Sequence, residues 1–147
     1  MSEEKTDIEQ VIAKDGFYVT RPKGTSMLPL IYQGHDTAII VPKGKRLEKY
    51  DVALYRRVSG EYVLHRVIKV KKDSYVMCGD NQYTLEYGIT DSMVIGVMTE
   101  LFHDGESVDL YSKKYKSYVK RRVMSIPYRR IKTEAVKRLV KLKNKNK

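Results

Sequence analysis

At 147 residues, 41% apolar and 32% charged, the chain is long enough to bury one core, too short for two ordinary domains, and too apolar to be disordered throughout. Its single cysteine, Cys78, excludes an intramolecular disulfide framework and a thiolate metal cluster. The net charge of +11 sits in one place: residues 113–147 hold fifteen Lys or Arg against one acid, Glu134, which leaves −3 for the rest, so the basicity is no nucleic-acid signature of the body.

No run approaches the eighteen or so consecutive apolar residues of a membrane span, and the acidic start Met1-Ser2-Glu3-Glu4 is wrong for a secretory leader. The protein is therefore expected to stay in the cytoplasm. Thr6-Asp7-Ile8-Glu9 has capping-box spacing, and Ile8, Val11 and Ile12 follow at helical intervals up to Gly16, which predicts one short helix over residues 1–16. A lone helix rules out a helix-turn-helix. From Phe17 the period becomes two. Strands are predicted at 17–21, 37–41, 51–58, 61–70, 74–78, 93–102 and 106–110, with Ser59-Gly60 and Asp104-Gly105 as hairpin turns. This describes a mainly β, α+β domain over residues 17–112, either an antiparallel sheet or a partly closed barrel. No βαβ alternation, phosphate loop or repeat is visible. After Tyr111 the composition shifts to a basic helical tail, residues 113–147, with helices at 113–124 and 130–142 separated at Pro127 and a frayed end from Asn144. In the second helix Ile131, Ala135, Leu139 and Leu142 share a stripe amid Lys and Arg.

Between the first two strands lies Gly24-Thr25-Ser26-Met27-Leu28-Pro29. A serine in such a loop is a nucleophile only if a base lies within hydrogen-bond reach and donors await the oxyanion; otherwise it is a solvated turn residue. Three histidines are available. His103 precedes a predicted turn and reads as solvated, whereas His35 is close enough in sequence to Ser26 to be a rival base. His65 lies within a strand on the face of Val63 and Val67, where a histidine taken alone is more often packed than catalytic.

Four segments occur in order: Gly24-Thr25-Ser26-Met27-Leu28-Pro29, Gly34-His35-Asp36-Thr37-Ala38-Ile39-Ile40, Val63-Leu64-His65-Arg66-Val67-Ile68, and Cys78-Gly79-Asp80-Asn81. Over about residues 17–102 this resembles the type I signal peptidase family, in the superfamily that includes the self-cleaving SOS repressors. The resemblance implies a serine endopeptidase with Ser26 as nucleophile. It also implies His65 as general base, in the histidine form found in the endoplasmic-reticulum type. Glu86 is implied as the group orienting His65, with Asp80 as second candidate for orienter or structural support. No cofactor and no metal are called for. A histidine with an ordinary pKa near 6.5 accepts a proton at neutral pH without the heavy desolvation a lysine needs.

The departures from the family bear on substrate. Gly24 stands where some members carry a serine hydroxyl for the oxyanion. His35 interrupts a usually contiguous Gly-Asp and stays a candidate binding residue beside Thr25, Met27 and Pro29. The resemblance implies removal of a leader or signal-type segment from a peptide or protein precursor; the usual N-terminal anchor is not evident, which favours a leader on a small peptide inside the cell over exported preproteins. The resemblance further implies that the peptide adds as a strand, at Tyr18–Arg21 or near Val52–Tyr55, with small residues at the cleavage point. The tail reads as a solvated extension, as a helix resting on an anionic membrane at its inner face, or as a docking segment for nucleic acid or an acidic partner. The twelve tyrosines are scattered and form no base-stacking platform, so nucleic acid is the weakest of these. The alternative to an enzyme is a non-catalytic β-domain binding peptide or anionic membrane through the tail.

Overall fold

Alternation along the strands divides the apolar side chains between two faces of one sheet. The computed structural model describes residues 3–146, with side chains from residue 8 onward. Eight strands pair antiparallel throughout: β1 (Tyr18–Thr20), β2 (Asp36–Val41), β3 (Val52–Arg56), β4 (Tyr62–Val70), β5 (Tyr75–Cys78), β6 (Glu86–Ile89), β7 (Val94–His103) and β8 (Glu106–Ser107). Their order is β1-β2-β7-β3-β4-β5-β6, with β8 beside β7, so the sheet is open and not a closed barrel. Central β3 is buried on both faces. Its Val52 and Leu54 join Ile40, Met98 and Leu101 in one core, while Ala53 and Tyr55 join Val63, Val67, Tyr75 and Met77 in the other.

Helix α1 (Glu3–Asp15) covers the first core with Ile12, and Gly16, at φ 79°, closes it by donating its N–H to the Ile12 carbonyl. The helix starts ahead of Thr6, since Glu and Lys favour helix. Met1, Ser2 and the Thr6 and Asp7 side chains of the capping box lie outside the described residues. Strand β6 was not expected. Glu86-Tyr87-Gly88-Ile89 lacks alternation and forms where β5 offers an edge, Met77 facing Glu86.

Helix α2 (Lys113–Met124) begins where predicted, Ser112 Oγ accepting the Tyr115 N–H. Pro127 sits in the first turn of α3 (Ile126–Lys145), where its missing N–H costs nothing. Asn144 and Lys145 are helical and not frayed; Lys147 lies outside the described residues. The change of composition at 113 is no boundary between packed units, because α2 bonds to the β-body through Tyr115, Tyr118 and Arg122. Among the described residues, no helix is long and apolar enough to cross a membrane.

Candidate active site

The loop joining β1 to β2 carries Ser26, and the turn after β5 holds that loop in place. Asn81 donates its backbone N–H to the Ser26 carbonyl (2.9 Å) and its side-chain amide to the Thr25 carbonyl (3.1 Å), while the Asp80 N–H points at Met27 Sδ (3.4 Å). Between loop and strand β4 stands Gly79. A Cβ there would lie 2.5 Å from the Ser26 carbonyl oxygen and 3.2 Å from His65 Nε2, so only glycine lets the serine loop and the imidazole come together. The two residues line one cleft of about 200 Å³, with Lys23, Gly24, Leu64 and Gln82 around them. Among the described residues, the Ser26 N–H, Ser26 Oγ, His65 Nε2 and the Gln82 side-chain amide make no hydrogen bond with protein groups, and none joins Ser26 to His65.

The far side of His65 explains its protonation. Tyr55 gives its single hydroxyl proton to Glu86 Oε2 (2.6 Å), so its oxygen is left to accept from His65 Nδ1–H (3.2 Å). The neutral imidazole then keeps its lone pair on Nε2, the nitrogen facing Gly79 and the serine loop. Burial lowers the His65 pKa to about 4, with Glu86 pulling upward and Arg57 pushing down. Glu86 is fixed by two hydrogen bonds from Arg57 (both 2.9 Å), which hold its carboxyl below the usual range. Burial, then Glu86, raises the Tyr55 pKa. Glu86 therefore reaches His65 through Tyr55 and not directly. Arg57, Glu86 and His65 also border a second cleft of about 490 Å³ with residues 81–85.

Asp80 does not orient His65. Its carboxylate makes a buried, two-pronged pair with Arg66 (2.7 and 2.8 Å) and accepts from the Tyr118 hydroxyl (2.7 Å), while Arg122 binds its carbonyl. The reason is strand alternation: Arg66 follows His65 and projects from the opposite face. Asp80 is structural support, tying β4, the 79–81 turn and α2 together.

His35 is not a base for Ser26. It is exposed, bonds Asp104 Oδ1 (3.0 Å), and lines neither cleft. His103 is not a free loop residue; it ends β7 and pairs with buried Asp36, which raises its pKa. Pro29 lines a separate cavity beside α2. Thr25 serves through its carbonyl, Met27 is core, and Gly24, at φ 87°, lines the Ser26 cleft with its N–H donated to Gln33.

No protein-family model matches this chain, and no curated protein matches its sequence. The geometry thus carries the site alone. Among the described residues, no cluster of three or more His, Cys, Asp or Glu is placed to hold a metal.

For an extended peptide, β1 is a sheet edge as expected, but β3 lies between β7 and β4 and has no free side. A different edge adjoins the serine. Strand β4 pairs with β3 from Tyr62 onward, whereas β5 joins it only from Arg66, so among the described residues no strand pairs with the Val63–Leu64 backbone on that side, which borders the Ser26 cleft. Sequence reasoning missed Tyr55, Arg57 and Gln82. An inward tyrosine in an otherwise apolar strand needs a partner for its hydroxyl, and that was the available signal.

Proposed function

We propose that this chain is a serine endopeptidase of the type I signal peptidase kind, cutting a leader or signal-type segment from a peptide or protein precursor. One observation carries the reading: Ser26 and the lone-pair end of a neutral, tautomer-fixed His65 border the same open cleft across Gly79. Ser26 Oγ attacks the scissile carbonyl carbon as its proton passes to His65 Nε2. The oxyanion is met by the Ser26 N–H, with the free Gln82 amide supplying the second donor that Gly24 lacks. The C–N bond breaks, Nε2–H protonates the leaving amine, and water cleaves the acyl-enzyme with His65 again as base. The imidazolium formed in each half is stabilised by Glu86 through Tyr55. The Ser26–His65 hydrogen bond closes as bound substrate excludes water from the cleft.

The substrate adds as a strand along Val63–Leu64. Contact with an anionic membrane at its inner, cytoplasmic face falls to the basic tail. The test incubates purified protein with secretory precursors and with ribosomal-peptide precursors and reads new termini by mass spectrometry. Cleavage of the latter, lost in Ser26→Ala and in His65→Ala but kept in His35→Ala, supports the reading. Cleavage that survives Ser26→Ala refutes the nucleophile, and cutting of secretory precursors alone refutes the leader assignment.

A further inference from the structure

Helix α3 has two sides that meet different surroundings. On the inner side Ile126 is buried, Arg129 donates to the Gln82 carbonyl (2.7 Å), and Lys137 Nζ donates to the Tyr83 hydroxyl (3.0 Å). Gln82 and Tyr83 line the cleft that holds His65, so this side grips the rim of the candidate site. On the outer side Tyr128, Ile131, Leu139 and Leu142 stand 66, 70, 65 and 60% exposed. At 3.6 residues per turn these four fall within about 80° of one another, on a helix about 30 Å long. Arg138 and Lys145 border the stripe on one flank, Lys132 and Lys143 on the other. Across α3 eight Lys or Arg face a single acid, Glu134.

We infer that α3 is an in-plane docking helix for an anionic lipid surface, its apolar stripe entering the headgroup layer while its inner side keeps the cleft at that surface. This deepens the membrane reading of the tail and is independent of the peptidase chemistry. The occupant follows from charge and polarity together. Nucleic acid satisfies the cations and leaves the stripe in water. A second copy covers the stripe only by pressing the four flanking cations, Lys132, Arg138, Lys143 and Lys145, against the same four. Anionic lipid takes both, and the residue pattern is that of an interfacial helix.

The experiment is vesicle flotation of the full chain, with phosphatidylcholine vesicles compared with phosphatidylcholine–phosphatidylglycerol vesicles. Binding is expected only with phosphatidylglycerol, to fall at least about tenfold in Ile131→Glu/Leu139→Glu, and to weaken as salt rises. Both substituted positions are exposed, so the variant keeps the wild-type circular dichroism. Ser26→Ala binds as wild type does, which separates this result from any failure of the peptidase reading. Unchanged flotation of the double variant overturns the inference. So does a wild type that binds no vesicles but forms a dimer the variant dissociates, or one retained by duplex DNA alone.

Discussion

Gly79→Ala tests whether the meeting of Ser26 and His65 depends on an absent side chain. Gly79 has no left-handed backbone angle to protect, so the effect of a methyl group is steric. Its carbon would stand 2.5 Å from the Ser26 carbonyl oxygen, and relief requires that loop or turn retreat by about 1 Å. The same carbonyl accepts the Asn81 N–H at 2.9 Å, so the retreat strains the bond that pins the loop. Overpacking of this kind costs about 1–3 kcal/mol, or roughly 3–12 °C in melting temperature for a chain of this size. A 1 Å displacement of a nucleophile from its base costs about 10²-fold in rate. Thermal unfolding and the cleavage rate on one fixed peptide measure the two effects. Gly44→Ala is the control, because a Cβ there meets nothing within 4 Å. If Gly79→Ala melts and cleaves like that control, Gly79 does not set the approach of serine to histidine.

Tyr55→Phe removes the acceptor for His65 Nδ1–H and the donor to Glu86; a stability loss of about 1–3 kcal/mol is expected, with kcat lowered and KM little changed. An unaltered kcat rules out the Tyr55 relay. On the proposed reading, in which neutral His65 is the base, the acid limb of kcat/KM is expected near pH 4, and a limb near 6.5 contradicts the burial argument. The same depressed pKa links to folding. The unfolded chain takes up this proton near pH 6.5 and the folded chain only near 4, so the stability present above about 6.5 declines as pH falls through that window, by up to about 1.4 kcal/mol per unit. Denaturant unfolding of wild type and His65→Gln reads the difference, and equal pH slopes refute it. Asp80→Ala strands the buried Arg66 guanidinium and should cost about 3–5 kcal/mol of unfolding free energy; a loss under about 1 kcal/mol disproves its structural role.

Local pattern was enough for much of this molecule. Period-two alternation marks β2 and β4, the Ser59-Gly60 turn marks the hairpin of β3 and β4, and the spacing around Pro127 separates two basic helices. These are properties of a residue and its near neighbours, whereas the candidacies of Ser26 and His65 come from the order of four motifs and the family they resemble. What each polar group bonds to was settled elsewhere. Arg66 and His65 are adjacent in sequence yet project from opposite faces, and the register of β4 on β5, with Arg66 opposite Cys78, brings Asp80 to the arginine and leaves the histidine to Tyr55. Glu86 was implied by the family resemblance alone, and its route to His65 runs through a tyrosine ten residues from the histidine and a strand, β6, that has no signal of its own. A carboxylate pairs with whichever donor the assembled sheet sets within 3 Å, and that distance arises from contacts between residues far apart in the chain.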